Sequence, residues 1–119
     1  MPKFMISFSA SAMDHIPEVE MPAVANEAHS VIREILTAGL YVLAGGLENQ
    51  SASIVATDGT VTEGPEPEAL SGLTIIEVPS RQEALDWAAR IAVACRCAQE
   101  VREFGHDPEL DAMLRQVGR

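Results

Sequence analysis

The 119-residue chain has few aromatic residues, few basic residues and no long apolar run, and each shortage excludes a class of protein. Aromatic residues make up only 4% of the chain, so a core must consist mostly of Ala, Val, Ile and Leu. Only 8 Lys and Arg accompany 18 Asp and Glu, and the net charge of −10 argues against nucleic acids, which bind clustered basic side chains. No segment approaches the roughly eighteen consecutive apolar residues of a transmembrane helix, so no membrane partner is expected.

Cysteine is scarce as well, which bears on the compartment. The two cysteines, Cys95 and Cys97, are too close in sequence to bridge each other readily in regular structure. A secreted fold that depends on disulfides is therefore not expected. The N-terminal segment lacks the long apolar centre of a signal peptide and reaches Asp14 and His15 early. We therefore expect a cytoplasmic protein.

Apolar residues nevertheless make up 47% of the chain, which is enough for one folded domain with a real core. Alternation of apolar and other residues predicts a strand over Lys3–Ser9. The next segment, 22–38, is predicted to be a helix with one buried face, because apolar residues recur there at helical spacing: Val24, Ala28, Val31, Ile32 and Ile35. Pro22 suits the first helical turn, and Gly39 suits the position just past the end.

The rest of the chain reads as short strands and two more helices. Strands are predicted over 40–47, 52–57, 60–62, 73–78 and 97–104, with Asp58-Gly59 as a hairpin turn. Ser80 and Glu83 form the sequence signature of a capping box, which predicts a helix that runs to Cys95. A short C-terminal helix is predicted from Pro108 onward, with an apolar stripe of Leu110, Met113, Leu114 and Val117.

This order of elements predicts an α+β domain of the ferredoxin-like type, β-α-β-β-α-β, followed by a short C-terminal helix. We assign residues 1–104 to the ferredoxin-like domain and 105–119 to a helical extension of it. Both helices would cover one face of the sheet and leave the other face apolar, as Val42 beside Leu43 and Ile75 beside Ile76 indicate. A second copy packed sheet to sheet would bury that face, so a homodimer is predicted.

Several segments, taken in order, resemble one known family. The matching segments lie at 39–47 (GLYVLAGGL), 58–65 (DGTVTEGP), 72–78 (GLTIIEV), 83–88 (EALDWA) and 98–102 (AQEVR). Together they resemble the YCII-related proteins of the DGPF-domain type, from about Lys3 to Phe104. The resemblance implies a ferredoxin-like subunit that pairs into a dimeric α+β barrel. In the signature loop, Glu63 stands where the family has Asp, and Glu66 stands where it has Phe.

The same resemblance bears on chemistry. Some YCII relatives carry a histidine on the first helix with an aspartate nearby as an acid/base pair. His29 lies on the corresponding helix, about one position from that histidine, and no clearly matching aspartate is found. The resemblance therefore implies a role for His29 but not a complete dyad.

The residues themselves offer a small set of site candidates. His29 falls at the edge of the buried stripe, where a cleft can open, and an imidazole can move protons there; the alternative is a boundary histidine bonded to a neighbour or to water. Glu63 is a second catalytic candidate, against a solvated turn residue. Tyr41 and Arg33 are the candidate binding residues.

No cofactor motif is present, and Cys95-Arg96-Cys97 lacks the four spaced ligands of a structural zinc site, so no cofactor or metal is expected.

Three functions stay open on this basis. The first is an enzyme that acts on a small, mostly apolar molecule by proton transfer through His29, with Glu63 or Tyr41 as helper. The second is a non-catalytic small-molecule-binding module on the same dimer. The third is a regulatory protein-interaction module that works through the acidic loop or the C-terminal helix. An enclosed pocket with a converging ionisable pair would favour the first, and a pocket without that pair would favour the second.

Overall fold

A four-stranded antiparallel sheet organises the computed structural model, which describes residues 1–64 and 70–118. Along the chain the elements are β1 (Lys3–Ser9), a 3-10 turn (Glu18–Glu20), α1 (Met21–Thr37), β2 (Tyr41–Gly46), β3 (Ser53–Val55), β4 (Val61–Glu63), β5 (Leu70–Glu77), α2 (Arg81–Cys95), β6 (Glu100–Glu103) and α3 (Pro108–Gln116). The main sheet has the order β2-β5-β1-β6, and β3 and β4 form a separate two-stranded sheet. This α+β arrangement is compatible with a ferredoxin-like fold.

Helix α1 forms where the apolar spacing predicts it. Pro22 stands in its first turn, and Gly39, with a φ of 76°, lies just past its end. The side chains of Val24, Val31 and Ile35 are buried, as the stripe predicts. The helix therefore presents one apolar face to the sheet.

Helix α2 is bounded by a polar cap at its start and an unusual residue at its end. The Ser80 hydroxyl accepts a hydrogen bond from the Glu83 backbone N–H at 3.2 Å, which satisfies one of the free amides of the first turn. After Cys95, Arg96 adopts the left-handed conformation with a φ of 57°. That conformation ends the helix and turns the chain toward β6.

The core lies between the two long helices and one face of the sheet. Along β5, Thr74 and Ile76 are buried while their neighbours Leu73 and Ile75 are only half-buried, which is the two-residue period of a strand with unequal faces. The core cluster joins Phe4 and Ile76 of the sheet to residues of both helices: Val31, Ile35, Ala84, Ala88 and Ile91. Packing against the helices thus defines a covered face.

The opposite side of the sheet, which we call the open face, carries a row of apolar side chains. Met5 of β1 pairs with Ile75 of β5, and Ile75 pairs in turn with Leu43 of β2. Leu43 is 53% exposed, and Met5 and Ile75 are half-buried. The protomer therefore leaves an apolar strip across three strands in contact with water.

Strand β2 is irregular at its start. Tyr41 pairs with Ile76 and Leu43 pairs with Ile75, so two steps along β2 match one step along β5. Val42 is the extra residue of a β-bulge at this edge strand. The bulge places Tyr41 on the covered face with Ile76, and Leu43 on the open face with Ile75.

The predicted Asp58-Gly59 turn joins β3 to β4. Gly59 has a φ of 87°, which favours glycine, and an Asp58 Oδ1 accepts the Thr60 backbone N–H at 2.9 Å. Hydrogen bonds from the Thr60 side chain and from the Thr60 backbone N–H lower the pKa of the Asp58 carboxyl. The turn is confirmed, and the pair of strands it joins forms its own small sheet.

All five strands predicted after β1 have different bounds in the structure, and two of them begin three residues away from the predicted start. The strand predicted over 73–78 begins three residues earlier, at Leu70, and the strand predicted over 97–104 is shortened to Glu100–Glu103. The left-handed Arg96 explains the second difference, because it redirects the chain before pairing with β1 can start. Residues 65–69, which include Glu66 of the acidic loop, lie outside the described residues.

Helix α3 follows β6 closely, and Asp107 caps its start by accepting the Leu110 N–H at 3.0 Å. Most of its predicted stripe stays in contact with water, since Leu110, Met113 and Val117 are all exposed. None of the helices in the described part of the chain is both long and apolar enough to cross a membrane.

Candidate functional site

A cavity of about 260 Å³ lies between α1, α2 and the covered face of the sheet. We call it the helix–sheet pocket. The pocket is partly open to solvent, and its volume is larger than that of a closed cavity of ~150 Å³ that holds benzene, so it has room for a small organic molecule. The described residues that line it are Phe8, Ala28, His29, Ile32, Tyr41, Ala44, Gly45, Gly46, Leu73, Thr74, Ile91 and Cys95.

One wall depends on a close approach between Phe8 and a glycine. Phe8 of β1 pairs with Gly72 of β5 in the sheet register. A methyl group on Gly72 would lie 2.5 Å from the Phe8 ring, closer than side-chain atoms approach. Gly72 therefore lets the Phe8 ring lie over the strand as part of the apolar wall.

His29 and Tyr41 meet at this pocket from two different elements. His29 is an exposed residue of α1 that borders the cavity, one turn after Ala25 and next to Ala28. Tyr41 enters from the edge strand β2, and 37% of it is exposed. The helical wheel and the strand bulge thus bring together two residues that are twelve positions apart in sequence.

The Tyr41 hydroxyl is held by its own strand. The Ala44 backbone N–H donates to the Tyr41 oxygen at 3.2 Å. A phenol that accepts this bond keeps its own O–H proton to donate elsewhere. Tyr41 is therefore a polar group oriented by its own strand, and its O–H proton is not used in this hydrogen bond.

Cys95 contributes a neutral thiol to the pocket. Its residue is 7% exposed, and burial, assisted by the neighbouring Cys97, raises the pKa of the Cys95 thiol. Burial also raises the pKa of Cys97, partly offset by a hydrogen bond from Gln99. A thiol that stays protonated is a weak nucleophile, so Cys95 acts here as an apolar wall residue.

The pocket as a whole is apolar and carries almost no charge. Among the described residues that line it, there is no carboxylate, and His29 is the one side chain able to carry a positive charge. Tyr41 and Thr74 add hydroxyl groups. The arrangement can bind an apolar body and hydrogen-bond a single polar group, and it offers a proton carrier in His29 without a carboxylate beside it.

The other two sequence candidates lie elsewhere. Glu63 is exposed on β4, in the two-stranded sheet, where it pairs with Ser53. Arg33 is exposed on α1, one turn beyond His29, and its backbone carbonyl accepts the Thr37 hydroxyl at 2.9 Å. Neither belongs to the described lining of the helix–sheet pocket. His29 and Tyr41 both line the pocket, whereas Glu63 and Arg33 do not.

Sequence reasoning missed two polar lining residues, Thr74 and Cys95. The only available signal for Thr74 was strand alternation, which puts it on the same face as Ile76. Its approach to the pocket depends on pairing with Ala44, which no local pattern reveals. Cys95 ends the second predicted helix, and the structure shows that it is buried.

The outer surface of the helix pair has a second depression, of a different character. It is an open groove of about 470 Å³ along α1 and α2. Two ion pairs cross between the helices near it, Arg90 with Glu34 and, at 3.5 Å, Arg96 with Glu27, and the Arg90 guanidinium also lies 5.0 Å from the Trp87 ring centroid. The groove combines these charged groups with apolar residues such as Val31 and Val93, and the nearby Nη1 atom of Arg96 is buried without a hydrogen-bond partner among the described residues.

Within residues 1–64 and 70–118, no three His, Cys, Asp or Glu side chains converge to hold a metal ion. No family model matches the chain, and none of the curated proteins matches it in sequence.

Proposed function

We propose that this chain is a small cytoplasmic, YCII-related protein that forms a homodimer and binds a small, mostly apolar molecule in the helix–sheet pocket. The observation that carries the binding function is the pocket itself: about 260 Å³, walled by apolar side chains, with His29 and Tyr41 at its border. Concave, mostly apolar cavities with a few polar groups are where proteins bind small molecules.

Binding is favoured over catalysis because the described lining holds no carboxylate to pair with His29. General acid/base work needs a proton carrier within hydrogen-bond reach of its partner and of the reacting atom. His29 has no carboxylate beside it in this pocket, and Glu63, the helper that the sequence suggested, lies on the β3–β4 hairpin. The second of the three open functions is therefore the one the geometry supports best.

The family proposal rests on the ordered motifs and on the topology. The four strands of the main sheet and the two long helices follow the order β-α-β-β-α-β once the β3–β4 hairpin is taken as an insertion. The hairpin carries Asp58-Gly59 and leads into the acidic loop, the segment that resembles the DGPF signature. A ferredoxin-like subunit of this kind buries only one face of its sheet.

The homodimer follows from the open face. The row of Met5, Ile75 and Leu43 spans three strands, and within residues 1–64 and 70–118 Leu43 stays 53% exposed. Two such rows packed about a two-fold axis would remove both from water, and the gain scales with the apolar area buried. Sedimentation should give a mass twice that of the 12.8 kDa chain at micromolar concentration; a single-chain mass would refute the dimer.

The binding function is tested with a matched pair of alanines on α1. Ala28 lines the pocket and packs against the core, whereas Ala25 is exposed on the same helix. Replacing Ala28 with Leu fills part of the cavity, and Ala25→Leu adds the same carbons outside it. Acetophenone is the probe. Its binding is measured through the NMR chemical shifts of the Ile32 and Ile91 methyl groups.

We expect saturable shifts in the wild-type protein, unchanged affinity in Ala25→Leu and at least a roughly tenfold loss in Ala28→Leu, since a filled site excludes the ring. No saturable shift at either methyl group in the wild type would refute the binding function. Equal affinity in both variants would refute this location for it.

Proton transfer at the same site is a second candidate, favoured by one observation: His29 and Tyr41 border one cavity. In this role His29 would remove a proton next to the carbonyl group of a bound ketone and return it. In deuterated water this predicts exchange of the acetophenone methyl protons that His29→Gln abolishes. Exchange no faster than in buffer would leave binding as the function.

A further inference from the structure

A β-bulge at the edge of the sheet directs the Tyr41 side chain toward the pocket. In a regular strand Tyr41 and Leu43 would share a face, because side chains alternate with a period of two. The bulge at Val42 breaks this rule, so Tyr41 pairs with buried Ile76 and Leu43 pairs with Ile75 of the open face. Bulges at sheet edges commonly redirect a side chain next to a site.

The redirected side chain is also fixed. The Ala44 N–H, three residues along the same strand, donates to the phenolic oxygen at 3.2 Å. This bond uses one lone pair of the oxygen and leaves the O–H proton available. Bulge and hydrogen bond together hold a donor at the border of an apolar cavity, where a hydrogen bond discriminates strongly between ligands.

The remaining lining restricts the charge of a ligand. Phe8, Ile32 and Ile91 supply apolar walls, and the described lining contains no Lys, Arg, Asp or Glu. The protein as a whole has a net charge of −10, which repels anions. A cationic ligand would lose hydration in this pocket without meeting a carboxylate in the described lining, and an anionic one would meet only the exposed His29 at the border.

We propose that Tyr41 is the specificity-determining residue of the helix–sheet pocket, and that its phenolic O–H donates to the carbonyl oxygen of an uncharged, otherwise apolar ligand. This inference rests on the proposed binding function and adds the ligand class to it. Tyr41 selects the ligand because a ligand without an acceptor displaces water from the phenolic O–H and offers no hydrogen bond in its place.

The experiment uses three probes of nearly the same size. Acetophenone carries a carbonyl oxygen, α-methylstyrene has a CH₂ group in its place, and benzoate carries a negative charge. Each is titrated into the full-length wild-type protein and into Tyr41→Phe, with the Ile32 and Ile91 methyl groups as reporters. Tyr41→Phe removes only the hydroxyl, and thermal unfolding checks that the variant is folded.

We expect the wild type to bind acetophenone about two- to tenfold more tightly than α-methylstyrene, which is the range of one net hydrogen bond. Tyr41→Phe should abolish this preference by weakening acetophenone alone. The affinity of α-methylstyrene, which has no acceptor, serves as the internal control and should not fall. Benzoate should bind more weakly than acetophenone in both proteins.

The outcomes distinguish failure of the role of Tyr41 from failure of the binding function on which it rests. Equal binding of acetophenone and α-methylstyrene by the wild type, or a preference that survives in Tyr41→Phe, would overturn the role of Tyr41 and leave the pocket a binding site. Tighter binding of benzoate would overturn the uncharged ligand class. Saturable binding of none of the three probes would overturn the binding function, and the inference would fall with it.

Discussion

Ile75 and Ile76 are identical neighbours on β5, yet they have opposite environments. Ile76 is completely buried against both helices, whereas Ile75 lies half-buried on the open face beside exposed Leu43. Two helices are enough to cover one side of this sheet and no more. The comparison shows that apolar content alone does not locate the core of the protomer. The same residue type is found both in the buried core and on an apolar face that stays in contact with water.

The largest expected effect separates the two isoleucines. Ile76→Ala removes a fully buried side chain and leaves a cavity, which should lower the free energy of unfolding by about 2–5 kcal/mol. Ile75→Ala, measured at a concentration where the protein is monomeric, should cost below about 1 kcal/mol because its side chain is already partly solvated. Urea denaturation followed by circular dichroism measures both. An equal loss of unfolding free energy in the two variants would mean that both faces of the sheet are buried within a single chain.

A smaller effect is expected on association, and it concerns the open face. Leu43→Lys places a charge in the middle of the apolar row, so the dimer should dissociate at least roughly tenfold more readily, because a charge at the centre of an interface must be desolvated. The protomer should stay folded, since Leu43 is already 53% exposed. Val93→Lys is the control: Val93 is 78% exposed on α2, away from the sheet. Sedimentation equilibrium that shows no difference between the two variants would move the interface elsewhere.

The smallest effect distinguishes the buried thiol from its half-buried neighbour. Burial raises the folded-state pKa of Cys95 above its unfolded value, so in alkaline solution the unfolded state releases its proton first. The thiol's contribution to stability is therefore complete below the ordinary cysteine pKa of about 8.5 and declines as the pH rises through the folded-state value.

Free energies of unfolding measured from pH 7 to pH 10 test whether stability declines as the pH rises. Cys95→Ala should flatten the alkaline decline more than Cys97→Ser, because Cys97 is only half-buried and its pKa is also lowered by Gln99. A steeper decline in Cys95→Ala than in the wild type would contradict the assignment of a buried, protonated thiol.

The sequence predicted the elements that depend on local patterns. The stripe of Val24, Val31 and Ile35 is buried as the helical spacing indicates, and Ser80 caps α2 as the capping signature indicates. The turn at Asp58-Gly59 forms with the positive φ that glycine permits. Each of these depends on residues within one turn or one hairpin, where the chain itself sets the geometry.

The site depended on features that are not local. Nothing in YVLAGG indicates that Val42 is a bulge, and without the bulge Tyr41 would lie on the open face with Leu43. Thr74 and Cys95 reach the pocket through sheet register and helix docking, which involve residues far apart in sequence. The end of α2 at Cys95 agrees with the prediction, but the left-handed conformation of Arg96 was not predictable, since glycine or asparagine usually takes that position.

A crystal structure of the protein as purified from cells tests the central claim most directly. The account predicts density for an uncharged molecule in the helix–sheet pocket, with an oxygen within about 3 Å of the Tyr41 hydroxyl, the distance of a hydrogen bond. A pocket closed by its own side chains, or one filled with water hydrogen-bonded to His29 alone, would contradict it.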